Sequence, residues 1–370
     1  MIQKERLIQQ FIELTGYDAP PKSERAIADR VIALLRQMGF TVSEDDAGAA
    51  IGGDCGNVYA RLPGSLDLPP LLLCAHFDSV EPCRGKVAKI GSDNVIRSDG
   101  RTVLGADDLS GMAAILEAVR SIQDDGRAHR PIELFFSVAE ELHLLGSSHM
   151  EPGRLTAKEA YILDTDGAPG LGIMRAPGHI GLVFDIHGKA SHAGMAPEKG
   201  VSAITAAAKG IAAMRLGRID DETTANIGRI EGGGETNVVA ETCRVTAECR
   251  SLNQNALNAQ ADDMCSCMEQ AAAAMGATVE IQRQTRYYPY TLDVNSPVVA
   301  RFIKACETMD LPCRLQSGGG GSDNNVLVRH GIMGMVLSCG MMQIHSCREE
   351  ISICDLANMA KLVETLLDLP

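Results

Sequence analysis

At 370 residues the chain is long for a single hydrophobic core, and length alone predicts about two domains. The 48 Asp and Glu against 34 Lys and Arg give a net charge of −14, which argues against nucleic acid and anionic membranes as partners. No apolar run reaches the roughly 18 residues of a membrane span, and the charged, amphipathic start lacks the apolar core of a signal peptide, so a cytoplasmic protein is expected. In chain order, Ser23 is placed to cap a helix over about 24–39, with Ala26, Ile27, Val31, Leu34, Leu35 and Met38 at helical spacing. Strands are predicted at 41–42, 57–61, 71–75, 132–138 and 160–163, with a helix over 109–122. Near-continuous apolar strands alternating with helices imply an α/β fold: a mixed, mostly parallel sheet covered by helices.

The pattern shifts near residue 177. Residues 179–187 alternate apolar and polar, as a strand with one wet face does. A helix over 201–216, strands near 225–231, 236–240 and 243–250, a helix over 254–275 and a strand at 277–284 follow. Residues 178–290 therefore read as an α+β unit inserted into a domain made of 1–177 and 291–370. After the insert come a helix at 297–309, a glycine run at 318–321, a strand at 332–337 and a helix at 353–368. The twelve cysteines are scattered without a C-x-x-C, so a structural zinc ribbon is not expected, and most should be reduced core residues.

Acids and histidines recur where apolar strands end. His76 closes Leu-Leu-Leu-Cys-Ala-His, and Asp78 lies two positions on. Asp107 and Asp108 precede a helix, Glu140 and Glu141 follow Phe-Phe-Ser-Val-Ala, and Asp164 follows Ala-Tyr-Ile-Leu. His345 lies beyond the 332–337 strand. Ligand sites in open α/β sheets form beyond the carboxyl ends of the strands, so these segments should converge. Two His with several carboxylates suit Zn²⁺, Co²⁺ or Mn²⁺. Asp108 is read as a cap of the following helix. His143 and His149 are read as structural or surface residues, because no H-E-x-x-H is present. Gly319, Gly320 and Ser322 in the glycine loop offer backbone N–H donors that suit a substrate's terminal group.

Six motifs run in one order along nearly the whole chain: Ala-His-Phe-Asp-Ser-Val at 75–80, Gly-Ala-Asp-Asp-Leu-Ser-Gly at 105–111, Ala-Glu-Glu at 139–141, Leu-Asp-Thr-Asp-Gly at 163–167, Gly-Lys-Ala-Ser-His-Ala-Gly at 188–194 and Gly-Gly-Gly-Ser-Asp at 319–323. In these the chain resembles the M20 family of metallopeptidases, and within it the peptidase T-like branch. The resemblance implies two divalent metal ions, Zn²⁺ foremost, with His76 and Asp164 holding one, Glu141 and His345 the other, and Asp107, its peptide to Asp108 cis, bridging both. It implies Glu140 as general base and Asp78 as the partner that orients His76. Asp164 is preferred to Asp166 because it falls directly after the strand. It further implies that His192, in the insert, reaches a substrate oxygen from the partner subunit of a homodimer, and that Asn237 and Arg250 contact substrate. The insert would serve as lid and dimerisation domain. The activity implied is release of the N-terminal residue from short peptides. Deacylation of N-acyl amino acids and carboxypeptidase action stay open as alternatives, and a non-catalytic binding protein is disfavoured because every expected ligand and the base are present.

Overall fold

Leu71–His76 and Ile132–Ser137 are buried at every residue, as central strands covered on both faces must be. They pair in parallel, with His76 opposite Ser137. Glu159–Thr165 adds in parallel to the other side of Leu71–His76, and Met333–Ser338 adds in parallel beyond it. Antiparallel strands flank this four-stranded centre: Val58–Leu62 and then Thr41–Glu44 on one side, Leu171–Ala176 on the other. The sheet is therefore mixed, with a parallel core, and helices pack on it. Ala106–Asp124 lies against Leu71–His76 and Glu159–Thr165 and also meets Lys4–Thr15 and Ile353–Asp368. The structure, a computed structural model, describes residues 1–369. The chain divides between Arg175 and Ala176 and again between Tyr290 and Thr291, so the flanking segments form one unit and Ala176–Tyr290 another.

In the second unit five strands pair antiparallel in the order Gly217–Arg218, Thr223–Gly232, Thr242–Ser251, Gly178–His187, Thr278–Tyr287. Ile180, Leu182, Phe184 and Ile186 point to one face and pack with Val245, Leu257, Met264 and Met268. The residues between them are partly exposed, which is the alternation of a one-sided sheet. Helix Gln254–Met275 starts where the Asn253 side chain accepts N–H bonds from Asn255 and Ala256. It stops at Gly276, whose φ of +74° is the left-handed C-terminal cap that glycine adopts freely.

Several expectations change. The helix near residue 25 spans Arg25–Gln37, and Ser23 does not cap it: Glu24 occupies the N-cap without a side-chain capping bond, its carboxylate turned instead to the N–H groups of Lys22 and Ala139. No strand forms at 236–240; Val238 makes one isolated bridge to His192 and is 45% exposed. Asp108 does not cap its helix either. Residues 107 and 108 have non-helical backbone angles, Gly105 is the N-cap, and the Asp108 carboxylate is buried with neither oxygen hydrogen-bonded. A small sheet absent from the sequence reading joins Met341–Met342, Glu350–Ser352, Val95–Arg97 and Lys89–Ile90. All twelve cysteines are free and seven are buried. No helix among the described residues is long and apolar enough to cross a membrane.

Gly111 lets the Ala106–Asp124 helix approach the sheet. A Cβ there would lie 2.4 Å from Asp108 Oδ1 and 2.6 Å from the Leu163 carbonyl oxygen. Gly111→Ala is therefore expected to cost about 1–3 kcal/mol through overpacking, read as a lowered thermal unfolding midpoint; an unchanged midpoint would contradict this close approach.

Candidate metal centre

The parallel strands end together, and so do their acids and histidines. The register that sets Cys74 opposite Ile162 carries Asp164 to the side of His76, with 3.7 Å between His76 Nε2 and Asp164 Oδ1. His76 Nε2 also lies 3.2 Å from Asp107 Oδ1. The other ring nitrogen, Nδ1, is 3.0 Å from the backbone carbonyl of Asp78. A carbonyl only accepts, so Nδ1 carries a proton, which leaves Nε2, on the side of Asp107 and Asp164, as the ring atom that a cation would take.

Asp107 faces two imidazoles at once. Its Oδ2 is 3.2 Å from His345 Nε2, and His345 Nε2 is 3.1 Å from Glu141 Oε1. That Glu141 oxygen is buried without an aligned hydrogen bond. Donor atoms of His76, Asp107 and Glu141 lie within 4.8 Å of one another, as do those of His76, Glu140 and Asp164. His76 thus belongs to both groups, and His345 extends the first. The Asp107–Asp108 peptide is cis.

Asp78 is fully buried, and its carboxylate serves the turn that carries the glutamates. Oδ1 accepts the Glu140 N–H at 3.0 Å and Oδ2 the Glu141 N–H at 3.1 Å. Its Oδ1 stands 3.4 Å from His76 Nδ1, farther than the carbonyl. One residue earlier, Ala139 holds a left-handed φ of +49°, and its N–H is bonded by Glu24 Oε1 at 2.8 Å. Asn57 Oδ1 accepts the Val138 N–H. Strained backbone at a site persists only where the surroundings fix it, as these bonds do. Asp323, next to the glycine loop, accepts a hydrogen bond from Ser137 Oγ and is 2% exposed. Glu24, Asn57 and Glu349 escaped the sequence reading, and Asp323 entered it only as the last residue of the Gly-Gly-Gly-Ser-Asp motif. For Glu349 a signal existed, because Glu349–Glu350 repeats the adjacent-acid pattern of Glu140–Glu141.

The electrostatics leave the cluster short of positive charge. Burial, with Asp164, Asp323 and Glu141 nearby, pushes Glu140 well above the usual carboxylate range. Burial likewise raises Asp164 to about 7 and raises Glu141 and Asp108. Burial opposes charge on His76, but Asp107, Asp164 and Asp78 outweigh it and hold the imidazole protonated well above its ordinary value. Asp107 and Glu141 raise His345 to about 10. Asp107 alone is lowered, since the two imidazoles overcome its burial. Mixed His and carboxylate donors converging on a region rich in buried acid fit divalent cations. A third group, Glu24, Asp54 and Cys55, also brings donor atoms together, but the Arg25 guanidinium acts on the Cys55 thiol there and opposes a cation.

The remaining candidates divide between the units. In the second, His192 is exposed, and its Nδ1 accepts the N–H groups of Gly194 and Met195, both at 3.2 Å. The Nε2 of the neutral ring is then the donor. Asn237 lies beside it, its carbonyl accepting the Ala193 N–H. Arg250 makes a two-pronged pair with Glu248, both contacts at 3.1 Å, and His179 Nε2 lies 3.1 Å from the same carboxylate. In the first unit, Gly319 and Gly320 are exposed, whereas Ser322 is buried and its N–H is already bonded to Asn325 Oδ1. Asp166 is exposed, and His143 and His149 are exposed on the turn after Glu141.

In Asp78→Asn the amide NH₂ must face the N–H of Glu140 or of Glu141, so one of the two bonds is lost. Metal affinity and kcat/KM are expected to fall about 10–100-fold while the fold survives; wild-type values for both would remove the positioning role. His345 supplies a pH test. Its raised pKa stabilises the metal-free fold fully below its ordinary value of 6.5, a contribution lost as pH rises through about 10. A cation that takes His345 as ligand displaces that proton. Zn²⁺ added to stripped protein in weak buffer near pH 7 should therefore release protons, and affinity should rise with pH; uptake without proton release would contradict this ligand assignment.

Residues 175–275 match the peptidase dimerisation domain of the M20 group, and residues 57–172 match peptidase family M28. The uncharacterised Bacillus subtilis protein YqjE is 38% identical over 100% of this chain and 99% of its own length. The solved aminopeptidase PepT of Bacillus cereus superposes with a TM-score of 0.90 at 39% identity, covering 99% of this chain and 98% of its own. A tripeptidase of Staphylococcus aureus superposes with a TM-score of 0.95 at 32% identity and the same coverage. The chain belongs to the M20 metallopeptidases, in their peptidase T-like branch.

Proposed function

We propose that the chain is a dinuclear metal-dependent exopeptidase that removes the N-terminal residue of short peptides, tripeptides among them. The observation that carries this reading is the Asp107 carboxylate, with Oδ1 toward His76 and Oδ2 toward His345. An acid so placed suits a ligand shared by two cations. His76 and Asp164 would hold one ion, Glu141 and His345 the other. Zn²⁺ is favoured, and Co²⁺ and Mn²⁺ suit the same donors. Bound divalent cations supply Lewis acidity and lower the pKa of water toward about 7.

Glu140 accepts the proton of the attacking water and passes it to the leaving amine as the C–N bond breaks. Its buried, acid-lined setting favours holding that proton between the two steps. Glu141, committed as a ligand, is not free for this task. His192, with Nε2 as donor, suits an oxygen that gains negative charge, and Arg250 suits a carboxylate. Asn237 is assigned a substrate contact beside His192. In the glycine loop Gly319 and Gly320 remain as amide donors, while Ser322 contributes none through its bonded N–H. The match of residues 175–275 to a dimerisation domain supports a homodimer, with His192 acting on the partner's substrate. Similarity to an aminopeptidase and a tripeptidase supports cleavage at the N-terminus. Twelve free cysteines support residence in the cytoplasm.

Glu140→Ala should lower turnover by about 10²–10⁴-fold with metal content unchanged, and the wild-type enzyme should release the first residue of free tripeptides. Full activity of Glu140→Ala would sink the base assignment. Release of C-terminal residues from N-blocked dipeptides, or of acetate from N-acetyl amino acids, with tripeptides untouched, would replace the aminopeptidase reading.

A further inference from the structure

Glu349 lies four residues beyond His345, just before strand Glu350–Ser352, and is 1% exposed. Its carboxylate bonds three backbone amides of the segment that leads into Asp107. Oε2 accepts the N–H groups of Leu104 and Gly105, each at 2.7 Å, and Oε1 accepts the N–H of Asp107 at 2.8 Å. These bonds span more than 240 residues of sequence. Carboxylate–amide bonds of this length are about twice as strong as neutral ones.

The need for such a clamp is visible at His345. Its side chain is 52% exposed, the most open of the candidate ligands, and its backbone sits at φ +57°. Its Nε2 faces only Asp107 and Glu141, the groups that a cation would draw to itself. Other ties between the two segments lie farther along. Ser98 Oγ donates to the Cys347 carbonyl, and Glu350–Ser352 pairs with Val95–Arg97. Glu349 alone, among the described residues, connects the His345 loop directly to the Asp107 amide.

We propose that Glu349 is a positioning residue: it fixes the Asp107 segment and the His345 loop to one another and so sets the spacing of the ion shared by Asp107, Glu141 and His345. This rests on the dinuclear reading above. It assigns Glu349 no contact with substrate or metal.

Glu349→Gln tests it with little change of volume. The acceptor oxygen of glutamine can keep Leu104 and Gly105, but its NH₂ then faces the Asp107 N–H, donor against donor. The perturbation falls on the Asp107 amide. Metal-stripped wild-type and variant proteins are titrated with Zn²⁺ and with Co²⁺ by calorimetry, and the Co²⁺ visible spectrum is followed in parallel. Wild type is expected to take up two ions. The variant should bind one as before and the other at least tenfold more weakly, with an altered Co²⁺ spectrum for that ion only. His345→Ala should weaken the same ion. If Glu349→Gln fails to fold, Glu349→Asp keeps the charge while its shorter reach loses part of the clamp, and it should weaken that same ion by a smaller factor. Two ions bound by the variant with wild-type affinities overturn the positioning role and leave the dinuclear reading standing, as does equal weakening of both. Uptake of fewer than two ions by wild type overturns both.

Discussion

Buried carboxylate is the constraint on which the rest of the first unit depends. Asp78, Asp107, Asp108, Glu140 and Asp323 are all withdrawn from water within one region, with Glu141 and Asp164 nearly so. A lone ionised acid in such a place is expensive unless something neutralises or bonds it. The chain meets the demand in distinct ways. Asp78 is satisfied by amides and Asp107 by two imidazoles, while burial raises the proton affinity of Asp108. Glu140, Glu141 and Asp164 have no sufficient internal answer, and burial raises their proton affinities. A site that only cations complete is the simplest account of why a fold would gather these acids.

The same logic separates residues that do chemistry from those that hold them. Asp78 was expected to act on His76 through its carboxylate. In the fold its carbonyl is the nearer partner of Nδ1, and the carboxylate grips the Glu140–Glu141 turn. One residue thus sets both the tautomer of His76 and the backbone of the Glu140–Glu141 turn. Glu24, the N-cap of helix Arg25–Gln37, reaches the same turn at Ala139 and is itself raised to about 7 by burial and by Asp78.

Much of this was readable from sequence because parallel strands advertise their ends. An apolar run that stops on His76 or Asp164 names both the strand and its terminus, and the sheet brings such termini together without further information. Helices 254–275 and 353–368 were readable to the residue because Asn253 and Ser352 cap them and their apolar spacing is regular. The unread part consists of long-range hydrogen bonds from side chain to backbone. Glu24 to Ala139 spans 115 residues, and nothing local in Ser-Glu-Arg distinguishes it from an ordinary helix start. The Val238–Val239 run misled because two adjacent β-branched residues suggest a strand, whereas the segment makes one isolated antiparallel bridge, Val238 to His192, through the Val239 N–H to the Ser191 carbonyl and the Ala193 N–H to that of Asn237.

The order of strands in the first unit has a consequence for how the protein comes into being. Glu159–Thr165 and Leu171–Ala176 are neighbours in sequence, yet they do not pair; Met333–Ser338 lies between them. During synthesis the ribosome delivers the whole of Ala176–Tyr290 before the strand that fills this slot. The second unit has a complete core within its own segment and can fold on emergence, while the first holds an open seam lined by unpaired backbone. His345 arrives only after that seam can close. Four of the five proposed ligands, His76, Asp107, Glu141 and Asp164, precede the second unit in the chain, so only the ion assigned to Glu141 and His345 would wait for the last stage of chain growth.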